Sequence, residues 1–205
     1  VTYNGALVKD PSTGKTLAHW PLALETAKCI VGELLDQDIY VQAYVNDTLL
    51  VPADCAKAQY YAKFSRVPFE VAGAGLRQLA EAPHKLLVID DDPEPIRRHL
   101  VTVYGNAIKI VSSSKGFLEI TDPETNKWRA LQFLMKRFEV TREEILTVGD
   151  SDNDYEMVAH AGVGVAMGNA KETIQKAARI ITASNTQSGV SLILRSVMTN
   201  QVDVP

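Results

Sequence analysis

The chain has 205 residues, of which 46% are hydrophobic and 22% charged, with a net charge of −4. That composition excludes a disordered chain, and the length buries a core without disulfide or metal staples. Mild acidity leaves no basic face to track a phosphate backbone, and no apolar run nears the ~20 residues of a bilayer span, so neither nucleic acid nor membrane is expected as a partner.

The first elements predicted are a strand pair, Val1–Val8 and Thr16–Leu22, joined by a turn that carries Asp10-Pro11 and Gly14. The chain opens on Val1 inside what already reads as a strand, so the expectation is a start in mid-domain. Leu24, Ala27, Ile30, Val31, Leu34 and Leu35 recur at helical spacing. Ile39, Val41, Ala43 and Val45 alternate with Tyr40, Gln42 and Tyr44 as a half-buried strand does, and Asn46-Asp47 turns into a second strand, Thr48–Val51. Ala56–Phe64 and Leu76–Ala80 read as helical and Lys85–Asp90 as a strand. Helix, strand, strand then returns as Pro95–Tyr104, Ala107–Ser112 and Phe117–Thr121. Residues 22–121 are therefore expected to form an α+β lobe on an antiparallel sheet with one open face.

From residue 122 the rhythm changes to strict βα alternation. The expected order is helix Asn126–Phe138, a capping box at Thr141–Glu144, strand Ile145–Val148, helix Asp154–Ala161 and strand Val163–Met167. Helix Lys171–Ala178, strand Arg179–Ala183 and helix Gly189–Val197 follow, with a frayed tail Met198–Pro205. Short apolar strands separated by helices specify a parallel sheet in an α/β layer fold. Cys29 and Cys55 are too few for a disulfide framework and stand in no metal-ligand spacing. They read as small core residues of a protein in a reducing cytoplasm.

Ligands of parallel sheets bind at the carboxyl ends of strands. The most loaded end here is Gly149-Asp150-Ser151-Asp152-Asn153-Asp154, where acidic and amide side chains crowd a loop that opens a helix. A divalent cation relieves such repulsion, oxygen-only ligands suit Mg²⁺, and a helix N-terminus behind them suits an anion. A calcium loop would want Gly and Glu where Tyr155 and Ala161 stand. Stabilisation of the helix dipole accounts for Asp152 or Asp154 but leaves Asp150 unexplained. Lys127, in the first turn of its helix, sits against the dipole, and a phosphate or carboxylate partner would offset that cost. Asp90-Asp91-Asp92 reads as a solvated helix start. Tyr40, Tyr44, Tyr60, Tyr61 and Arg66 read as packing or surface residues before substrate contacts, and the four histidines are assigned no role.

These residues carry a resemblance. Gly-Asp-Ser-Asp-Asn-Asp before an apolar helix is similar to the fourth motif of the haloacid dehalogenase superfamily. Val165-Ala-Met-Gly-Asn-Ala170, Ile181–Asn185 and Gly189-Val190 resemble its sequel in the Cof-type sugar-phosphatase branch, as does Tyr3-Asn-Gly-Ala6 near the start. The resemblance implies a Rossmann-like core, 1–21 with 122–205, its parallel sheet incomplete at the N-terminus, and an inserted α+β cap, 22–121. It implies an Mg²⁺-dependent phosphatase of small phosphorylated metabolites such as sugar phosphates. In that family pattern Asp150 is a metal ligand and Asp154 binds the metal's waters or pairs with Lys127. Lys127 holds phosphoryl oxygens, and Asn153 reaches the phosphate or orients the Asp150 loop. Trp128 departs from the small residue that usually follows the lysine.

The family also begins with a strand ending in Asp-x-Asp, which supplies the nucleophile and the acid/base. No such segment precedes Tyr3, so about two βα units, roughly 60 residues, are expected to be missing. The 205 residues alone are expected to be inactive. Two other readings stay open: a non-catalytic module that binds phosphate and Mg²⁺, and a half-core completed by a partner chain through strand addition.

Overall fold

A computed structural model describes residues 1–112 and 114–199. The chain forms two compact units, Val1–Thr125 and Asn126–Pro205.

The first unit opens with a departure from expectation. Val1–Val8 is not one strand, because Tyr3, Asn4 and Gly5 take positive φ (52°, 57° and 101°) in a 3₁₀ turn. Asn and Gly adopt that region at little cost. The turn folds Thr2 back onto Leu7, and the hairpin proper is β1 (Leu7–Lys9) against β2 (Thr16–His19).

Then come α1 (Leu24–Asp36), β3 (Val41–Val45), β4 (Thr48–Val51), α2 (Ala56–Ser65) and β5 (Phe69–Val71). After them follow β6 (Lys85–Ile89), α3 (Glu94–Tyr104), β7 (Lys109–Val111) and β8 (Phe117–Thr121). The strands make one six-stranded sheet in the order β5-β4-β3-β6-β8-β7, antiparallel except at β4–β5. β5 has only three residues, too few to show a period. The expected helix Leu76–Ala80 is instead a 3₁₀ segment, Gly73–Gln78, whose two glycines disfavour an α-helix.

Strand alternation sorts the sheet's side chains. Val41, Ala43, Leu86, Val88, Leu118 and Ile120 meet Ala27, Ile30 and Leu34 of α1 and Ile96 and Leu100 of α3. The opposite face is not open as expected. Ala58 and Tyr61 of α2 cover Tyr44, Leu49, Leu87 and Phe117 there. Gln42, Lys85 and Glu119, which by residue type belong in solvent, are buried on the same side. Their charge is matched: Lys85 pairs with Glu119 at 3.1 Å, and Asn4 donates to Glu119 at 2.6 Å. Tyr40, Tyr44 and Tyr61 are buried, while Tyr60 and Arg66 are exposed. Cys55 is half-buried against the second core cluster, as expected of a small core residue, but Cys29 is exposed and is not the core residue expected. On α1 the buried positions are 27, 30, 31 and 34, which turns position 29 outward. Asp90-Asp91-Asp92 is a turn ahead of α3, with Asp92 N–H on Asp90 Oδ1.

The second unit is the α/β layer expected. It contains α4 (Lys127–Phe138), β9 (Leu146–Gly149), α5 (Tyr155–His160), β10 (Val163–Ala166), α6 (Glu172–Ala177), β11 (Ile180–Ile181) and α7 (Gly189–Met198). The strands run parallel in the order β11-β10-β9, and among the described residues β9 pairs on one side only. Val163 and Val165 face Ile193 of α7, while Ala166 faces Val158 of α5 and Ile174 of α6. The Thr141–Glu144 capping box forms as expected, on a 3₁₀ turn. Of the expected frayed tail, Met198 closes α7, and the stretch after Thr199 lies outside the described residues. No helix among the described residues is long and apolar enough to cross a membrane.

β10 and α5 touch backbone to backbone at Gly164, where a Cβ would lie 1.8 Å from the Val158 carbonyl oxygen. Gly164→Ala is therefore expected to destabilise the unit by about 1–3 kcal/mol, seen as a lower urea midpoint. An unchanged midpoint would mean that the strand and helix are not in close contact.

Candidate active site

The acidic loop leaves β9 at its carboxyl end. Gly149 is required there, because a Cβ would fall 2.5 Å from Cβ of Asp154. Asp152–Asp154 then make a 3₁₀ turn before α5 starts at Tyr155, one residue later than the sequence suggests. Ser151 caps this turn, and its hydroxyl sits 2.8 Å from Asn153 Oδ1 and 3.3 Å from Asp154 Oδ2.

Asp154 is the buried centre of the loop, 4% exposed. Both of its oxygens are engaged. Oδ1 accepts from Lys127 Nζ at 2.5 Å, and Oδ2 accepts the backbone N–H groups of Asp150 at 3.0 Å and Ser151 at 3.2 Å. Burial alone would raise the Asp154 pKa, but the Lys127 ammonium and the two N–H donors outweigh it and hold the carboxyl below its ordinary value. Lys127 opens α4, behind an Asn126 side chain that accepts from Arg129 N–H at 2.8 Å. A lysine there opposes the helix dipole, and the Asp154 carboxylate offsets that cost. Trp128 turns its ring toward His160 of α5, with centroids 5.8 Å apart, so it packs α4 on α5.

Asp150 differs from Asp154. It is exposed, and its carboxylate has no hydrogen-bond or ion-pair partner among the described residues. Its backbone is held on both sides, the N–H by Asp154 and the carbonyl by Lys171 N–H at 3.2 Å. Asp152 pairs with Lys171. Lys127, Asp150 and Asp154 line a cavity of about 450 Å³ together with Val148, Gly149, Met157, Met167 and Val190. Asn153 is not among the lining residues.

Of the expected residues, three converge on the cavity and Asn153 belongs to the loop that supports it. Met157, Met167 and Val190 were not among the expected site residues, although Met167 and Val190 lie in segments that carry the resemblance. Met167 directly follows β10, a position that the strand-end rule does mark. Among the described residues no three His, Cys, Asp or Glu side chains converge as a metal site. What the arrangement offers is one free carboxylate, one ammonium and an open volume between them. That set suits an oxyanion and a hard cation bound together.

A family model described as haloacid dehalogenase-like hydrolase matches residues 1–194. The chain is 31% identical over 208 residues to the 5-amino-6-(5-phospho-D-ribitylamino)uracil phosphatase YitU of Bacillus subtilis, covering 95% of this chain and 74% of that protein. It is similar to a Thermotoga maritima crystal structure with 34% identity and a TM-score of 0.83, covering 95% and 74% of the two chains. It also shares its fold with a haloacid dehalogenase subclass IIB sugar phosphatase, at 20% identity, a TM-score of 0.79 and coverage of 95% and 74%. One further curated relative, from Haemophilus influenzae, is matched over only 44% of its length.

The Asp154 contacts set a pH dependence. A carboxyl held below its unfolded value stabilises the fold above about pH 4, and that contribution is lost as pH falls through the folded value. Asp154→Asn is expected to destabilise the second unit at pH 7 by about 1–3 kcal/mol and to flatten the acid limb of the stability curve. Equal acid limbs in the two proteins, followed by circular dichroism, would contradict the pairing.

Proposed function

This chain belongs to the haloacid dehalogenase-like hydrolases, and from that premise we propose that it is part of an Mg²⁺-dependent phosphatase of the Cof type. The reaction is hydrolysis of a phosphate monoester to an alcohol and inorganic phosphate. The observation that carries the reading is the Asp150 carboxylate at the end of β9, without a partner among the described residues, beside a Lys127–Asp154 pair on one cavity.

Each residue has a part in it. Asp150 is the carboxylate for Mg²⁺, an ion that takes one or two carboxylates and fills its other positions with waters and phosphate oxygens. Bound there, Mg²⁺ would neutralise charge on the phosphoryl oxygens. Lys127 contacts those oxygens, and Asp154 holds the ammonium in place while bonding the Asp150 loop through its backbone. Of the two roles expected of Asp154, its geometry supports this one, since a metal would compete with donors already in place. Asn153 steadies the loop through Ser151.

Small phosphorylated metabolites, sugar phosphates among them, are the substrate class we favour. The ribityl phosphate ester in the name of the Bacillus subtilis relative and the shared fold of a sugar phosphatase support it. In this reading 22–121 is the cap that selects among them, and 1–21 with 122–205 is the core. Free cysteines fit a reducing cytoplasm.

In the pattern that the family resemblance implies, the reaction also uses a carboxylate nucleophile. Among the described residues Asp150 and Asp154 are the carboxylates that line the cavity, one assigned to the metal and one committed to Lys127. We therefore propose that these 205 residues bind phosphate and Mg²⁺ without turnover. An Asp-x-Asp segment, carried by a preceding stretch or by a partner chain at the edge of β9 that is unpaired among the described residues, would complete the site.

The test is hydrolysis of p-nitrophenyl phosphate with Mg²⁺. The 205-residue chain is expected to be inactive, the protein extended by such a segment active, and its Asp150→Asn variant slower by about 10²–10³-fold. Full activity of Asp150→Asn would overturn the metal assignment. Turnover by the 205-residue chain would overturn the need for the added aspartate.

A further inference from the structure

The histidines without a role in the sequence reading contain a pair. His19 ends β2 and His84 immediately precedes β6, and His84 Nδ1 lies 2.7 Å from His19 Nε2. The other nitrogen of His84, Nε2, accepts the backbone N–H of Asp47, in the β3–β4 turn, at 3.2 Å. A backbone amide only donates, so His84 Nε2 carries a lone pair and the ring proton is on Nδ1. That proton points at His19 Nε2, which must accept it. Both rings are then neutral, each protonated at Nδ1.

The chain of bonds has no room for another proton. Protonating His84 at Nε2 sets it against the Asp47 N–H. Protonating His19 at Nε2 sets it against the His84 N–H. Moving the His84 proton to Nε2 to relieve the second clash only creates the first.

The charged and titratable neighbours are already occupied. Tyr3 stacks on the His84 ring, with centroids 4.5 Å apart, and its hydroxyl donates to Asp47 Oδ1 at 3.0 Å. Lys9 of β1 pairs with Asp47 Oδ2, and Asn46 donates to Glu81 at 2.8 Å. Tyr44 of β3 touches Tyr3 with centroids 5.1 Å apart, and Lys85 of β6 is held by Glu119 at 3.1 Å. A cavity of about 140 Å³ borders the pair, lined in part by Lys9, Thr16, His19 and Asn46. His84 is 3% exposed, whereas His19 is exposed and meets solvent first.

We propose that His19 and His84 form a proton-operated latch, tying the β1–β2 hairpin to the β3–β4 turn while both rings are neutral and releasing it on acidification. Burial, then the neighbouring His19, push His84 from 6.5 down to about 4 against the pull of Asp47, and burial also lowers His19. A histidine lowered on folding leaves stability untouched above its unfolded value and removes it below. The latch is thus at full strength above pH 6.5 and weakens as pH falls toward about 4. It stands apart from the phosphatase reading, and all of its residues lie within the first unit.

The experiment is nuclear magnetic resonance of the ¹⁵N,¹³C-labelled 205-residue chain between pH 7.5 and 4, so that neither a variant nor an activity assay is needed. At pH 7.5 both imidazoles are expected to show protonated Nδ1 and bare Nε2. On acidification the His84 ring, the Asp47 amide and the indole N–H of Trp20, next to His19, are expected to shift together, at least one pH unit below 6.5. His84 protonated at Nε2 at pH 7.5 would overturn the proposal. So would a ring titration that leaves the Asp47 and Trp20 signals unmoved.

Discussion

The candidate site is organised by a single buried carboxylate. Asp154 has two oxygens and three donors aimed at them: an ammonium on one side and two backbone N–H groups on the other. Through the ammonium it fixes the start of α4, and through the N–H groups it fixes the turn that carries Asp150. Gly149 is the steric counterpart, because only a residue without a Cβ lets the Asp154 side chain lie over the end of β9. The result is that Asp150 reaches the cavity edge with its backbone held and its carboxylate uncommitted. A fixed, unpaired charge beside a paired one is the arrangement that a cation and an oxyanion can share without further rearrangement.

This part of the molecule was legible from the residues because its chemistry is local. Asp150 to Asp154 lie within five positions, and Lys127 stands at a helix start where its charge is unfavourable without a partner. The parallel α/β layer was legible for a similar reason: its strands are apolar on both faces, and its helices sit between them in order.

What the residues did not reveal depends on partners distant in the chain. Gln42, Lys85 and Glu119 look like the solvent side of alternating strands, and they are buried because α2 and the Tyr3–Gly5 turn cover that face. The histidine pair is 65 residues apart in sequence, with no spacing to announce it. Cys29 was misread because buried residue types predominate among cysteines, while the phase of α1 turns this one outward. The first strand was cut short by backbone geometry, since Asn4 and Gly5 accept a left-handed turn that a β-period count does not register.

The two units also differ in how they use polar groups. In the second, polar groups converge on a cavity and one is left free. In the first, they are consumed in closing one structural contact after another: Lys85 with Glu119, Asn4 with Glu119, Tyr3 and Lys9 with Asp47, His19 with His84. The proposed reaction is placed at the Asp150 cavity because there, among the described residues, a carboxylate without a partner stands beside the Lys127–Asp154 pair. The central claim is that Asp150 is the metal carboxylate, and the most direct measurement is calorimetric titration of Mg²⁺ into the 205-residue chain with inorganic phosphate present, beside its Asp150→Asn variant. The account predicts saturable Mg²⁺ binding that strengthens with phosphate and disappears in the variant; equal binding by both proteins would contradict it.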